Sequence, residues 1–445
     1  MASDASNRTL PDRRDQAVGA AVEQGLLTEA EPVTALLDID GIRASAAALT
    51  AAFREVTDAP VLHAFAVKAA PLVPVLRLLD SEGIGAEVAS PGELALARAA
   101  GVPPERTVLD SPAKTHAELR EALGLGIAVN ADNPQELERI DALVEAGAAG
   151  RSQLGLRVNA QIGAGAIGAL STATETSKFG VALRDEGARE RVVRAFLDRP
   201  WLTRLHTHSG SQGLAPEFMA GGVRAVYELA EEINAAARRQ QIDTIDIGGG
   251  LPVNFTSDEE TPTFADYARL LRREVPGLFD GRYGLVTEFG RALLAKHGTV
   301  LARVEYAKSA GGRPIAVTHA GVQVATRTVY DPGSWPVRIT AYDAKGRPKA
   351  GPDVVQDIAG PACFSGDLLA AARPLPLLEQ GDVIAVLDTG AYYFTSHYAY
   401  NSLVRPAVHG FRDGQDGVAF TAVREAQTMA AIVAESGGGR PDALL

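Results

Sequence analysis

The sequence predicts an α/β fold, a TIM-like (β/α)8 barrel followed by a mostly β C-terminal domain. Between residues 34 and 300, short apolar strands alternate with helical stretches, which is typical of a parallel sheet. About eight such strand–helix units favour a closed barrel, with a doubly wound open sheet as the alternative. After residue 300 the strands are separated by segments rich in Gly, Pro and Asp that lack helical periodicity.

The elements of the predicted barrel follow in chain order. Its strands are expected at residues 34–39, 61–67, 85–89, 107–110, 127–130, 153–158, 202–209, 244–248 and 284–288. Its helices are expected at residues 40–56, 91–101, 115–123, 134–147, 184–197, 215–240 and 263–275. The β domain is expected to hold strands at residues 303–306, 314–318, 335–342, 353–358 and 383–387.

Length and composition indicate how many domains the chain has and which classes of protein it can belong to. The 445 residues divide into a lead-in at 1–33 that can pack on the β domain, a barrel at 34–300, and a β domain at 301–445 with a short flexible tail. A net charge of -12 argues against nucleic acid or an acidic membrane surface as a partner. Cys363 is the single cysteine, and the chain has no evident signal peptide or bilayer-length apolar run, so a cytoplasmic location is expected.

Lys68 ends the apolar strand at 61–67, where an unpaired ammonium group is costly to bury. One interpretation is a lysine that has reached solvent at the end of its strand. The other is an amine that desolvation keeps partly neutral and ready to form a Schiff base. The motif alone favours the first interpretation, but four later segments favour the second.

Polar groups follow other strands at the carboxyl end of the predicted barrel, where functional groups of this fold gather. The face of His208 can stack on a flat aromatic ring, and Ser211 in the following Ser-Gly-Ser can reach a phosphate, although a single histidine there is more often structural. The triple glycine at 248–250 is either a tight turn or an amide cradle for phosphate. Glu288 can bond a pyridine nitrogen and Arg291 can bind phosphate or a carboxylate, unless they form a surface ion pair.

Two segments of the β domain add candidate residues. Cys363 lies in the small-residue turn Gly-Pro-Ala-Cys-Phe-Ser-Gly-Asp, where a thiol can donate a proton, with a buried inert cysteine as the alternative. Tyr392 follows a strand in Gly-Ala-Tyr and places a polar ring in a predicted cleft.

Together these motifs resemble the pyridoxal-phosphate decarboxylases of the alanine racemase fold, which include the diaminopimelate, ornithine and arginine decarboxylases. The resemblance covers roughly residues 30–410 in the expected order, and the segment Ser177-Lys178-Phe179-Gly180 also matches. It implies pyridoxal phosphate as the cofactor and no metal. It implies that Lys68 carries the cofactor, that His208 stacks on its ring, that Glu288 meets its pyridine nitrogen, and that the remaining cofactor contacts come from Ser211, Gly248, Gly249, Gly250, Gly290, Arg291 and Tyr392.

The chain departs from the family pattern where the substrate side chain is expected. Phe364 follows the cysteine, whereas similar decarboxylases of diamino substrates carry an acid there that binds the distal ammonium. Asp331, in Tyr330-Asp331-Pro332, resembles another distal-amine aspartate, and Arg327 is near a family position that binds a distal carboxylate. We therefore expect the substrate to contact Tyr330, Asp331, Phe364 and Arg327. These residues do not specify which side chain the substrate carries.

The resemblance implies an amino-acid decarboxylase that acts as a homodimer with shared sites, with Cys363 as proton donor across the dimer. One alternative is an amino-acid racemase of the same fold, but racemases resemble one another in an arginine at the pyridine nitrogen, where this chain has Glu288. The other is a non-catalytic homologue, and such proteins tend to lose the cofactor residues that this chain keeps.

Overall fold

A computed structural model describes residues 8–163 and 173–445. The strands are β1 (Val33–Asp38), β2 (Val61–Ala66), β3 (Gly85–Val88), β4 (Thr107–Leu109), β5 (Ala128–Ala131), β6 (Leu154–Asn159), β7 (Val181–Ala182), β8 (Leu202–His206), β9 (Thr244–Asp246), β10 (Gly284–Thr287), β11 (Gly298–Ala310), β12 (Arg313–Thr318), β13 (Ile339–Tyr342), β14 (Asp353–Ala359), β15 (Leu368–Pro376), β16 (Val383–Val386), β17 (Ala407–Gly414) and β18 (Gly417–Arg424).

The α-helices are α1 (Leu10–Glu23), α2 (Ile39–Val56), α3 (Val73–Ser81), α4 (Pro91–Ala99), α5 (His116–Leu125), α6 (Pro134–Glu145), α7 (Ala188–Asp198), α8 (Pro216–Ala237), α9 (Phe264–Glu274), α10 (Arg291–Leu294), α11 (Val322–Tyr330) and α12 (Met429–Glu435). The chain forms two compact units. We call residues 43–254 and 260–293 the barrel unit, and residues 1–42, 255–259 and 294–445 the sheet unit.

The barrel unit contains a closed parallel barrel of eight strands. Their order around the barrel is β5, β4, β3, β2, β10, β9, β8 and β6, and pairing of β5 with β6 closes the ring. This closure confirms the predicted barrel and excludes the open-sheet alternative. The short strand β7 pairs in parallel with the end of β6, outside the ring.

Helices α4, α5 and α6 of the barrel unit begin at residues whose side chains cap free N–H groups of the first turn. Thr115 accepts from the N–H of Glu118 at 3.2 Å, and the Glu118 carboxylate accepts from the N–H of Thr115 at 2.7 Å, so α5 begins in a complete capping box. Ser90 and Asn133 cap α4 and α6 in the same way through one bond each. Each cap starts a helix just beyond the carboxyl end of a barrel strand.

The sheet unit contains a second sheet of nine strands. Its main path is β15, β14, β12, β11, β1, β17 and β18, while β16 pairs with β11 and β13. The mostly β character predicted for the C-terminal part is confirmed. Helix α1 packs on this sheet through Ala17, Val18 and Ala21, in a core that includes Leu301 and Phe411.

Strand β1 lies in the sheet unit between β11 and β17, although the sequence pattern assigns residues 34–39 to the start of the barrel. All six residues of β1 are buried. A mostly apolar run fits the centre of any sheet, so its composition does not specify which of two sheets it joins.

Several elements escape prediction from the sequence. The helices α1, α3, α11 and α12 and the strands β15, β17 and β18 have no predicted counterpart. Helix α3 begins with Val73-Pro74, and α11 has non-helical dihedral angles at Ala325 (φ -134°, ψ 47°). Proline near a helix start and a break within a helix both obscure the 3.6-residue pattern.

Candidate active site

Lys68 lies just beyond the carboxyl end of β2, in a single 3-10 turn at Val67–Ala69. Its ammonium group forms an ion pair with Glu87 of β3, whose side chain is 2 % exposed. The Lys68 side chain itself is 41 % exposed. The structure therefore places this half-exposed amine against a buried carboxylate of the neighbouring strand.

Glu288 follows β10 and is buried among imidazole and carboxylate groups of neighbouring strands. Its Oε2 lies 3.2 Å from Nδ1 of His208 and 3.5 Å from Nε2 of His206. Nδ1 of His206 in turn lies 3.6 Å from Oδ1 of Asp110, which follows β4. Among the described residues, Oε1 of Glu288 has no hydrogen-bond partner although it is buried. Such an acceptor can take a hydrogen bond from a bound molecule.

Burial and charge set the protonation of this cluster. Burial raises the pKa of Glu288 well above its usual range, and the charges of Asp110 and Asp246 raise it further. Burial alone would raise the pKa of Asp110, but His206, a hydrogen bond with Glu288 and the cations Arg157 and Lys114 outweigh it, so the pKa lies below its ordinary value. The site therefore favours a proton on Glu288 over one on Asp110.

His208 is 14 % exposed in its side chain and lies two residues beyond the end of β8. Burial lowers the pKa of His208 well below its ordinary value, and the positive charges of Arg157 and Lys68 lower it further. The imidazole is therefore neutral, as a ring that stacks on an aromatic cofactor without charge repulsion must be. Ser211 is half-buried in the loop that leads from β8 to α8.

The triple glycine after β9 forms a tight turn against His208. Gly248 and Gly250 have φ angles of +67° and +92°, and a Cβ on Gly250 would lie 2.2 Å from the Gly210 carbonyl oxygen. Gly249 donates its N–H to Nδ1 of His208 at 3.4 Å. Asp246 fixes the start of the turn by accepting from the Gly248 N–H at 3.1 Å.

Gly290 brings the Glu288 segment against the Lys68 turn. A Cβ at Gly290 would lie 3.0 Å from the Cβ atoms of both Ala66 and Ala69. A larger residue would push the two segments apart. Arg291 begins α10 and is 8 % exposed.

The other predicted site residues belong to the sheet unit. The Arg327 guanidinium of α11 lies 4.7 Å from the ring centre of Tyr392 and 5.0 Å from that of Trp335. Burial lowers the pKa of Arg327. Among the described residues, its buried NH1 has no hydrogen-bond partner. Tyr392 has a φ angle of +65°, in the left-handed region.

Phe364 belongs to a cluster of four aromatic rings in the sheet unit. It stacks on Tyr330 with ring centres 5.9 Å apart and planes 8° apart, and Tyr400 meets its edge at 5.4 Å. Tyr398 completes the cluster by stacking on Tyr400 at 6.1 Å. We call these four residues the aromatic cluster.

Cys363 is exposed beside this cluster, and its N–H donates to Oδ1 of Asn401 at 2.7 Å. Its exposure excludes the buried inert cysteine that was the alternative. Asp331 is also exposed; its Oδ1 accepts from the Ser334 N–H at 3.3 Å.

The residues of the barrel unit fit pyridoxal phosphate. The vacant acceptor Oε1 of Glu288 matches a pyridinium N–H, and the neutral His208 matches a flat ring. The glycine turn exposes backbone close to His208, which suits a phosphate. A primary amine, Lys68, lies one strand away from Glu288, because β2 and β10 are neighbours.

The sequence reasoning missed the carboxylates and imidazole that surround these residues, namely Glu87, Asp110, His206 and Asp246. Each lies in or just after a barrel strand and is at most 6 % exposed. A charged residue inside an apolar strand is itself the signal that could have identified them, because an interior strand position rejects charge unless it is partnered.

Comparisons with known proteins agree with this geometry. Residues 42–295 match the family profile of the pyridoxal-dependent decarboxylases, pyridoxal binding domain. The chain is 32 % identical to a diaminopimelate decarboxylase of Methanothermobacter thermautotrophicus over 83 % of each protein. It is 33 % identical to one of Pseudomonas aeruginosa over 82 % of this chain and 85 % of the relative.

Solved structures of decarboxylases are also similar to this chain. The crystal structure of diaminopimelate decarboxylase from M. jannaschii with L-lysine superposes with a TM-score of 0.81 at 25 % identity, covering 93 % of this chain and 94 % of the other. The Vibrio vulnificus lysine/ornithine decarboxylase with cadaverine superposes with a TM-score of 0.72 at 25 % identity, covering 88 % of this chain and 97 % of the other.

Proposed function

We propose that this chain, which belongs to the family of pyridoxal-dependent decarboxylases, acts on an amino acid whose side chain ends in a neutral, acidic or apolar group rather than an ammonium group. The protein is a pyridoxal-phosphate-dependent carboxy-lyase, and its substrate is a small amino acid or amino-acid derivative. The side-chain preference is the proposal, and the aromatic cluster around Phe364 supports it.

The residues of the barrel unit have distinct roles in this proposal. Bound pyridoxal phosphate supplies an electron sink that lets the substrate carboxylate leave as carbon dioxide. Lys68 holds the cofactor through its amine, and Glu87 positions that amine. His208 packs on the ring and Glu288 holds the proton at the ring nitrogen. Ser211, the glycines at 248–250, Gly290 and Arg291 bind the phosphate end.

Cys363 and Tyr392 complete the proposed site from the sheet unit. We assign to the Cys363 thiol the proton that Cα receives after carbon dioxide has left, because it is exposed and held by the Asn401 contact. Tyr392 is assigned to the phosphate. Because these residues and Lys68 belong to different units, we also propose a homodimer with shared sites, and the exposed thiol suits a reducing cytoplasm.

The substrate preference follows from the surroundings of Phe364. An ammonium group that enters a pocket without a carboxylate partner costs several kcal/mol. Phe364 is stacked among Tyr330, Tyr398 and Tyr400, and none of these side chains is an acid. The nearby acids Asp331 and Asp367 each accept backbone N–H bonds. The vacant NH1 of Arg327 suits a carboxylate.

A screen of carbon dioxide release over free amino acids and carrier-bound aminoacyl thioesters tests this preference. We expect ornithine, lysine and diaminopimelate to be poor substrates, and Asp331→Asn to change the KM of the best substrate little. Phe364→Asp should shift the preference toward diamino acids, with Phe364→Leu as the matched apolar control. Efficient turnover of diaminopimelate that Asp331→Asn leaves unchanged would contradict the proposal.

A further inference from the structure

Arg157 is a buried cation inside the barrel that has no role in the proposed mechanism. It lies in β6 and pairs in register with His206 of β8. Register partners on neighbouring strands point their side chains to the same face of a sheet. His206 faces Glu288 inside the barrel, so the Arg157 side chain also points inside, near the carboxyl end of β6.

The Arg157 guanidinium is held by a ring rather than by a hydrogen-bond acceptor. Arg157 is 7 % exposed. Among the described residues it forms no hydrogen bond and no ion pair, and its guanidinium carbon lies 4.4 Å from the ring centre of Phe179. Buried arginines are normally paired, because a full charge and five N–H donors are costly to remove from water. These donors therefore suit an anion that a ligand supplies.

Two carboxylates of the barrel are affected by the charge of Arg157 without binding it. Burial raises the pKa of both Asp110 and Asp132, and the charge of Arg157 opposes this rise. Asp132 accepts instead from the Gly180 N–H at 3.1 Å, and Oδ1 of Asp110 lies 3.6 Å from Nδ1 of His206. The N–H groups of Arg157 thus stay available to a ligand.

The segment Ser177-Lys178-Phe179-Gly180 provides the ring and a second cation. Nζ of Lys178 lies 5.0 Å from the centre of the same ring. Gly180 has a φ angle of +70°, and a Cβ there would lie 3.1 Å from Cγ of Arg157, so the segment lies directly against β6. Two cations at one ring repel each other, and a bound anion would relieve that repulsion.

Arg157 and Lys68 lie on opposite sides of the barrel mouth. In the ring of eight strands, β6 is opposite β2. Burial lowers the pKa of His208, and the positive charges of both Arg157 and Lys68 lower it further, so both cations act on the space beside this imidazole. A ligand that joins a cofactor carried by Lys68 therefore enters the space that Arg157 faces.

We propose that Arg157 binds the α-carboxylate of the substrate, the group that leaves as carbon dioxide, and that Phe179 positions its guanidinium. A planar guanidinium and a carboxylate match through two parallel N–H···O bonds. The α-carboxylate is an anion that every amino-acid substrate carries, whatever its side chain. The inference rests on the proposed attachment of the cofactor to Lys68 and is independent of the proposed side-chain preference.

An ion pair with this group contributes to binding rather than to rate. The carboxylate loses its charge as carbon dioxide forms, so its bonds with Arg157 weaken toward the transition state. With the best amino acid from the carbon dioxide screen, Arg157→Met should therefore raise KM by about 30-fold, while kcat equals or exceeds that of wild type. Loss of a residue that only maintains the fold would be expected to lower kcat.

Two carbonyl reagents test the assignment without turnover. Aminooxyacetate and methoxyamine both react with the aldehyde of bound pyridoxal phosphate, and only aminooxyacetate carries a carboxylate. Spectroscopic titration of the loaded enzyme gives an affinity for each reagent. We expect Arg157→Met to reduce the preference for aminooxyacetate over methoxyamine by about 30-fold, the effect of losing charge-assisted hydrogen bonds.

Two further variants complete the titration. Phe179→Leu removes the ring but keeps the guanidinium, so it should reduce the same preference by about 3-fold, and it provides the test if Arg157→Met does not fold. Arg184→Met is the control, because Arg184 is an exposed arginine two residues beyond β7. It should leave the preference and KM unchanged.

The negative results have different meanings. If Arg157→Met and Phe179→Leu keep the wild-type preference, binding of the carboxylate by Arg157 is overturned and the role of Lys68 stands. The inference is also overturned if Arg157→Met loses affinity for pyridoxal phosphate but keeps the preference, because Arg157 then serves the cofactor. If borohydride labels a lysine other than Lys68, the proposed attachment fails and this inference fails with it.

Discussion

At the scale of single residues, the amine that we propose to hold the cofactor is distinguished by position rather than by desolvation. Lys114 and Lys296 are nearly fully buried, whereas the Lys68 side chain is 41 % exposed. Lys114 is fully buried and pairs with Glu136 at 2.9 Å, and Lys296 is 4 % exposed in its side chain and lies 3.3 Å from Asp388. Burial lowers the pKa of Lys296, the direction expected of a reactive amine. Accessibility and the neighbouring Glu288 segment nevertheless favour Lys68.

Borohydride reduction of the loaded enzyme, followed by peptide mapping, tests this choice. The pyridoxyl label should appear on Lys68, because its side chain is 41 % exposed and a cofactor can reach it. Lys114 and Lys296 should stay unlabelled, and they serve as internal controls because each is buried in an ion pair. A label on Lys296 would show that a desolvated amine, and not the end of β2, carries the cofactor.

At the scale of elements, Asp367 joins the segment that carries Cys363 to the helix that carries Arg327. Its Oδ1 accepts from the N–H of Val322 at the start of α11, and its Oδ2 accepts from the N–H of Ala362, both at 2.7 Å. A Cβ on Gly321 would lie 2.5 Å from this carboxylate, so glycine is required there. One buried side chain thereby positions two proposed site elements.

Replacing Asp367 with Asn should destabilise this junction. The amide would direct N–H toward one of the two backbone donors, so we expect a loss of about 2 kcal/mol in the free energy of unfolding, measured by urea denaturation at pH 7. The KM for substrate should rise as well, because Arg327 and Cys363 lose a shared anchor. Asp353→Asn, at an exposed position of β14, is the matched control. Equal unfolding midpoints for both variants would show that the two bonds contribute little.

Some strands and helices could be predicted from the sequence pattern, and others could not. Barrel strands such as β2 and β10 were predictable because parallel strands buried on both faces are continuous apolar runs. Helix α11 was not, because its break at Ala325 interrupts the helical period. The cluster of Asp110 and His206 also escaped, because pairing of distant strands brings these residues together and local pattern does not encode that pairing.

At the scale of the whole molecule, the proposed site draws on both compact units. Lys68, His208 and Glu288 belong to the barrel unit, whereas Cys363, Tyr392 and the aromatic cluster belong to the sheet unit. Each unit has its own sheet, and no strand pairing between the two sheets is present among residues 8–163 and 173–445. Under this proposal, each site combines residues of a barrel unit with residues of a sheet unit, from one chain or from two.

Mixing two inactive variants distinguishes these arrangements. Lys68→Ala removes the cofactor amine from the barrel unit, and Cys363→Ala removes the proposed proton donor from the sheet unit. If each site combines the barrel unit of one chain with the sheet unit of another, random pairing should restore about a quarter of the sites, since half of the dimers are mixed and each has one intact site.

Differently tagged subunits, purified as mixed dimers after exchange, make the complementation experiment quantitative. Each variant mixed with its own tagged copy is the control, and it should stay inactive because every site lacks the same group. Activity near one half of wild type per purified mixed dimer would support shared sites, since one of its two sites is intact. No activity in mixed dimers of verified composition would mean that each site is built within a single chain, and Cys363 would then meet Lys68 of its own polypeptide.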